Sequence, residues 1–313
     1  MLHQAVATAS AHTTRLQALY ADTAGSHLAA AGMALRLRKE GRVWVQALKG
    51  RGDGLASRFE HEVVLRGVRG VPTLDASRHD GTALAESLQR ALRAGGDLQP
   101  VYRTDIRRLH RRLHHQGAVI ELALDRGHLI AGERRLAVHE MEFELISGPL
   151  AALPLLAARW ALRHALWWDV RTKSARGFRL AQGLPVVPAV RGEPGAGNCH
   201  AKLQALLAHA LPNAAELAGG TGQAAHLHEL RLALQALALA LAQSVEPADV
   251  AAADQARRLL AELDDAAAAP AVARSAAFTA LMLEVLQRVM QQPMQQPIHL
   301  PMHPPMQQAL AAG

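Results

Sequence analysis

Over the first 185 residues, short runs of alternating apolar and polar positions are punctuated by glycines. Ala34 to Arg38 reads ALRLR, Arg42 to Lys49 reads RVWVQALK, and Arg58 to Arg66 reads RFEHEVVLR. Val119 to Leu124 reads VIELAL, His128 to Ala131 reads HLIA, and Ala137 to Ile146 reads AVHEMEFELI. Period-two alternation bounded by permissive residues predicts strands joined by hairpins. Gly41, Gly52, Gly54, Gly127, Gly132 and Gly148 lie where turns are expected. Thr82 to Ala94 and Leu150 to Leu166 carry apolar residues at helical spacing instead, the second with Pro149 and Pro154 at its start.

The pattern changes near residue 190. Val186 to Asn198 is rich in Pro and Gly, and residues 199–290 then read as helices, in runs such as LRLALQALALALAQ. The expected fold is therefore α+β: an antiparallel β-tunnel or barrel with peripheral helices, then an all-α module and a disordered tail. The expected division is residues 1–185, a linker at 186–198, a helical module at 199–290 and a low-complexity tail at 291–313. That tail holds five prolines and six glutamines and no Lys, Arg, Asp or Glu. It reads as untethered chain, with loose copper binding by its Met and His as the rival reading.

Composition narrows the partners. The chain has 313 residues, is 50% hydrophobic, and carries 34 Lys+Arg against 27 Asp+Glu, a net charge of +7. That balance favours an anionic partner without choosing among nucleic acid, phosphate chains and membrane surface. Cys199 is the only cysteine, which excludes an intramolecular disulfide and a thiolate metal cluster. The opening MLHQAVATASAHTTR lacks the layout of a signal peptide, and no apolar run reaches about 18 residues. A cytoplasmic protein with no membrane contact is expected.

Strand periodicity also sorts the chemistry. Glu140, Glu142 and Glu144 share one face, and Met141, Phe143 and Leu145 the other. Such an acidic row either holds a hard divalent cation, Mg²⁺ or Mn²⁺, or is a solvated outer face. Arg36 and Arg38 also share a face, with Lys49 near the end of the next strand. Arg103, Arg107, Lys173 and Arg176 extend the basic set, and guanidinium groups collected in a tunnel suit phosphate oxygens.

Other candidates are weaker. GEPGAGN has no Lys-Ser/Thr after Gly197 and is not a phosphate loop. RRLHRRLHH, with His110, His114 and His115, reads as a basic helix or loop, and the lack of nearby aromatics disfavours nucleic acid as its partner. His226 and His228, two apart on a helix, do not share a face. Cys199 has no activating neighbour in the sequence.

Residues 20 to 50, YADTAGSHLAAAGMALRLRKEGRVWVQALKG, closely resemble a stretch of the CYTH domains, or triphosphate tunnel metalloenzymes. PVYRTDIRRL at 100 to 109, ELALDRGHLIAGERRLAVHEMEFELISG at 121 to 148 and TKSARGFRL at 172 to 180 match further signatures in order. The resemblance covers residues 15 to 183 and is nearest to the bacterial inorganic triphosphatases. It implies a β-tunnel in which Arg36, Arg38, Lys49, Arg103 and Lys173, with Arg107 and Arg176, bind substrate phosphates. It implies that Glu140, Glu142 and Glu121, extended by Glu144, hold Mg²⁺ or Mn²⁺ for hydrolysis of inorganic triphosphate or another triphosphate. The resemblance names no catalytic residue.

Two departures stand out. The family begins with a Glu-x-Glu-x-Lys strand, whereas the 19 residues before Tyr20 hold no acid. A missing first strand, an exposed sheet edge and an incomplete metal site are expected from this. The rival function is thus a catalytically impaired polyphosphate- or nucleotide-binding protein. Residues 226 to 241, HLHELRLALQALALAL, resemble the key helix of a CHAD domain, a polyphosphate-binding bundle, but Gln235, Ala236 and Ala238 stand at basic positions. That implies a shortened, degenerate CHAD-like region.

Overall fold

The computed structural model of the chain describes residues 11–51, 58–192 and 198–291. The Met/Gln/Pro tail beyond Gln291 and part of the linker lie outside the described residues. Seven strands form one antiparallel sheet: β1 (His12–Thr23), β2 (Ala34–Glu40), β3 (Val43–Arg51), β4 (Arg58–Leu65), β5 (Leu98–His115), β6 (Ala118–Ala131) and β7 (Arg134–Ser147). Their order is β4-β3-β2-β1-β5-β6-β7, so the edges are β4 and β7. The segment before Tyr20, from which no strand was expected, forms β1 at the centre of the sheet.

Two further expectations are corrected. The basic run RRLHRRLHH is neither helix nor loop but the second half of the 18-residue strand β5. A run of Arg and His mimics polar helix or loop in sequence, yet here each residue from Arg107 to His115 pairs across to β6. The expected turn at Gly127 is absent too, and β6 runs straight through it. A Cβ at Gly127, where φ is +159°, would lie 2.0 Å from the Asp105 carbonyl oxygen, so the glycine serves close strand approach rather than a turn. The real turn is Gln116-Gly117, both at positive φ, the signature of a tight hairpin.

Helices cover the outside. Helix α1 (His27–Ala30) follows β1, and the buried Asp22 carboxylate accepts hydrogen bonds from Leu28 N and Ala29 N, each 2.9 Å away. Helix α2 (Ala85–Gly95) presses Leu88 and Ala91 onto Leu35 and Leu48 of the sheet. Helix α3 (Ala152–His164) lays Leu156 on Leu113, Ile120 and Leu122. Helix α4 (Lys173–Ala181) enters the concave side instead, where Leu180 packs with Tyr20, Tyr102, Ile106 and Leu129. A Cβ at Gly177 would meet the Tyr102 ring at 2.2 Å, so a side chain there would hold α4 off the sheet.

The C-terminal half is all-helical, as expected. It comprises α5 (Cys199–Ala218), α6 (Ala224–Leu241), α7 (Pro247–Glu262), α8 (Ala269–Ala273) and α9 (Ala276–Gln291). Their core of Leu207, Leu211, Leu230, Leu234, Phe278 and Met282 also takes in Ala157, Ala158, Trp167, Trp168 and Val170 from before the linker. His226 is buried and closes the α6 N-terminus, its Nδ1 accepting from Gln223 N at 3.0 Å. Among the described residues no single helix is long and apolar enough to cross a membrane.

Candidate functional site

Register decides which side chains meet inside the curved sheet. Tyr20 pairs Arg36, Ala18 pairs Arg38 and Ala34 pairs Lys49, so these share the concave face. Lys49 in turn pairs Glu60, and Ala47 pairs Glu62. On the other wing Arg108 pairs Asp125, and Asp125 pairs Glu140. Ala123 pairs Glu142 and Glu121 pairs Glu144. The concave surface thus carries a basic wing on β2 and β3, an acidic wing on β6 and β7, and α4 between them.

In the basic wing, Arg36 is only 8% exposed. It donates to the Tyr20 hydroxyl at 3.2 Å and lies 3.4 Å from both Glu60 and Glu62. Arg38 donates to Glu62 at 3.1 Å and also bonds Glu40. The Lys49 ammonium lies 2.7 Å from Glu60. Burial together with the Arg36 charge lowers the Lys49 pKa despite Glu60. Burial alone pushes the Tyr20 phenol up, but Arg36, Lys49 and Arg38 outweigh it and leave it lowered. This wing sets three cations against three carboxylates, with Glu60 and Glu62 each shared between two of the cations.

In the acidic wing, Asp125, Glu140 and Glu142 each offer an oxygen within 4.8 Å of the others. Arg108 grips Asp125 through two bonds of 2.8 Å and also reaches Glu142. Lys173, the first residue of α4, places its ammonium 2.7 Å from Asp125 and from Glu142 and against Glu140. Thr172 caps α4 by accepting from Ala175 N at 2.9 Å, which fixes where Lys173 emerges. Arg176, one turn on, pairs Glu140. Burial favours the neutral acid at Glu142, yet Lys173 and Arg108 hold its carboxyl down to about 2. Glu144 lacks such partners, and burial with Glu121 and Glu60 nearby raises it. Glu60 stands on the opposite edge strand, so the two edges face each other across the interior.

Three hard carboxylates at this spacing could hold a divalent cation. The residues present therefore fit the family's metal, with one condition. The Lys173 ammonium occupies the space among the three oxygens, so an ion held there would have to displace it. Three guanidinium atoms are buried without an acceptor among the described residues, Arg36 Nε and Arg176 Nε in this site and Arg179 Nη2 near Glu216. The two in the site are free to donate to a bound acceptor.

The structure brings together Arg36, Arg38, Lys49, Lys173, Arg176, Glu140 and Glu142 on the concave side. Glu121 and Glu144 lie further along the same face, and Glu121 faces His110 at 3.4 Å and Arg112 at 3.6 Å. Arg103 and Arg107 are not part of this group. Both are exposed on the outer face, opposite in parity to Tyr102, Thr104, Ile106 and Arg108. The inward guanidinium of that strand belongs to Arg108. Sequence reasoning also missed Asp125, Glu60, Glu62 and Tyr20. Parity within RFEHEVVLR puts Glu60 and Glu62 on one face, the signal that was available for them.

Known proteins resemble the N-terminal half. The inorganic triphosphatase of Haemophilus influenzae is 29% identical over 164 residues, which are 51% of this chain and 44% of that protein. The chain thus spans less than half the length of that relative. Among solved structures, HpAC1 from Hippeastrum, described with a dominant triphosphatase activity, is 17% identical over 54% of this chain and 82% of its own, with a TM-score of 0.34. PH1819 from Pyrococcus horikoshii is 16% identical over 48% of this chain and 73% of its own, with a TM-score of 0.27. A family model described as the CYTH domain matches residues 2–178, more than half of the chain, and the chain belongs to the CYTH domain family.

Proposed function

We propose that the chain hydrolyses a triphosphate, with inorganic triphosphate as the first substrate to test and Mg²⁺ or Mn²⁺ as cofactor. The observation that carries this reading is the pair of facing wings, with buried donor atoms at Arg36 and Arg176 still lacking acceptors. Arg36, Arg38 and Lys49 would neutralise and orient the phosphate oxygens along the basic wing. Arg108, Lys173 and Arg176 would reach the same chain from the acidic side once their carboxylates turn to the metal. Asp125, Glu140 and Glu142 would hold the ion, which neutralises charge building on the phosphoryl oxygens during attack by water. Placing Asp125 in this set in preference to Glu121 or Glu144 rests on its burial and its distance to Glu140 and Glu142.

The test is phosphate release from tripolyphosphate with Mn²⁺ or Mg²⁺. The parent should release phosphate, and Glu142→Ala and Asp125→Asn should lose at least a hundredfold in rate. A folded parent without release from tripolyphosphate, ATP or thiamine triphosphate would discard the hydrolase reading.

A second reading, a non-catalytic phosphate-binding protein, is favoured by one observation. Each cation on the acidic side already pairs with at least one carboxylate, and Lys173 sits among all three. Calorimetry with tripolyphosphate in chelator separates the two, since only the binding reading retains full affinity without metal. The α-helical half is read as a reduced CHAD-like bundle. Its remaining polar groove is lined by His228, Arg231, Gln235 and Arg257, with Asp264 paired to Arg231 at 2.6 Å.

A further inference from the structure

The outer face of β1, β5, β6 and β7 carries a basic row that the tunnel does not use. Arg15 pairs Arg107 across β1 and β5, Arg107 pairs Arg126 across β5 and β6, and Arg126 pairs His139 on β7. Four basic side chains therefore stand directly opposite one another in a line perpendicular to the strands. With strands about 4.8 Å apart, the line is about 14 Å long. Like charges directly opposite in a sheet repel, and proteins ordinarily alternate them.

The carboxylate available nearby does not neutralise the line. Asp105 is held by Arg15 through bonds of 2.9 and 2.7 Å. Among the described residues, Arg107, Arg126 and Arg135 have no carboxylate within ion-pair distance. Arg126 Nε instead donates to His139 Nε2 at 3.2 Å, which keeps the guanidinium against the sheet. The surface here is also concave. Thr13, Arg15, Arg107, Arg126, His128 and Arg135 line a cavity of about 400 Å³ with Ile130 at its floor. That volume holds a small molecule and is far too small for a duplex. The lining offers no Phe, Tyr or Trp for a base to stack on, which disfavours single-stranded nucleic acid.

We propose that this row is a second anion site, which binds a short condensed-phosphate chain laid across the strands. Arg15 is taken up by Asp105, and His139 accepts from Arg126. Arg107 and Arg126, adjacent across β5 and β6, therefore present free N–H donors to neighbouring phosphoryl groups with Arg135 beside them, and the bound chain relieves the repulsion between the two. The site lies on the sheet face opposite the tunnel, so it does not depend on the tunnel being catalytic.

The experiment isolates the outer site by working on the full chain with tunnel ligands removed. In a Arg38→Ala/Lys49→Ala background, inorganic tripolyphosphate is titrated calorimetrically at low salt with chelator present. One binding event should remain. Adding Arg126→Ser should weaken it about tenfold, and Arg126→Ser with Arg135→Ser should abolish it. Arg126→Lys keeps the charge but not the fork and should still lose several-fold. In the otherwise parental chain, Arg126→Ser/Arg135→Ser should leave phosphate release from tripolyphosphate unchanged. No event in the tunnel-depleted background, or one that ignores Arg126→Ser, overturns the proposal. A short DNA duplex bound as tightly as tripolyphosphate, and lost in the same variants, overturns the assignment to a small phosphate chain.

Discussion

Lys173 and the buried carboxylate of Asp125 lie 2.7 Å apart, in a pocket that Glu140 and Glu142 close from the other strand. Burial works against the ammonium, but the three acids raise its pKa and keep it charged. A divalent ion and this ammonium therefore compete for the same oxygens. Lys173→Met should lower stability in chelator by about 2–4 kcal/mol, the penalty of stripping a partner from buried charge. Mn²⁺ should then raise the melting temperature more in the variant than in the parent. Equal metal-induced shifts in thermal denaturation would separate Lys173 from the metal position.

A pH effect follows from His79, which is fully buried beneath β3. Gln46 Nε2 lies 3.0 Å from His79 Nε2, and His79 Nδ1 lies 2.9 Å from His61 Nδ1. The Gln46 amide nitrogen can only donate, so the neutral ring accepts at Nε2 and donates from Nδ1. Burial, with His61 and Arg78 adding repulsion, depresses the His79 pKa to about 4. The unfolded chain thus binds a proton that the folded chain refuses. Stability should be full above about pH 6.5 and fall by on the order of 3 kcal/mol as pH drops toward 4. Denaturant melts of the parent and His79→Gln should diverge over that window, and parallel pH profiles would refute the assignment.

Gly127→Ala should be among the most damaging single-methyl changes in the sheet. The new Cβ would press on the Asp105 carbonyl oxygen of β5, and backbone yields less readily than a side chain. The expected loss is about 2–4 kcal/mol, which corresponds to roughly 4–16 °C in melting temperature. A melt within a degree of the parent would show that β5 and β6 can separate at this point without penalty.

Beside the apolar contact made by α3, Glu216 of α5 links the two halves through charge. Its carboxylate accepts from Arg179 of α4 at 2.8 Å and from Thr221 at 2.6 Å, and lies 3.5 Å from Arg171. Glu216→Ala should cost about 3 kcal/mol by leaving Arg179 without a counter-charge, whereas Arg171 keeps Asp169 at 2.9 Å. Because α4 also carries Lys173 and Arg176, tripolyphosphate affinity should fall as well. Unchanged affinity in a destabilised variant would show that α4 is held by Leu180 and Tyr102 alone.

The hairpins β2-β3 and β6-β7 and the helices α2 and α3 were legible because their alternation and turn residues agree. The acidic row was legible for the same reason, since parity alone puts Glu140, Glu142 and Glu144 on one face. Where the sequence misled, the cause was register. In YRTDIRRLHRRLHH, arginine occurs at both parities, so composition cannot tell Arg107, which points out, from Arg108, which points in. Pairing with Asp125 settles that choice, and pairing is a property of the folded sheet. The central strand β1 escaped notice because HTTRLQAL has no turn signal before it and few large apolar residues. Lys173 was placed in the site from the sequence, but its seat among three carboxylates depends on the cap at Thr172 and the fit of Gly177 against Tyr102.

Helix α3 has an apolar residue for each of two neighbours. Leu156 faces the outer side of β5 and β6, while Ala157 and Ala158 join the core of the helical half. The composition break near residue 190 is therefore not a place where the molecule can be cut. A fragment ending at residue 185 would carry Trp167, Trp168 and one flank of α3 into water, and self-association would follow. The helical half released alone would lack part of its own interior. Each is the other's solvent shield.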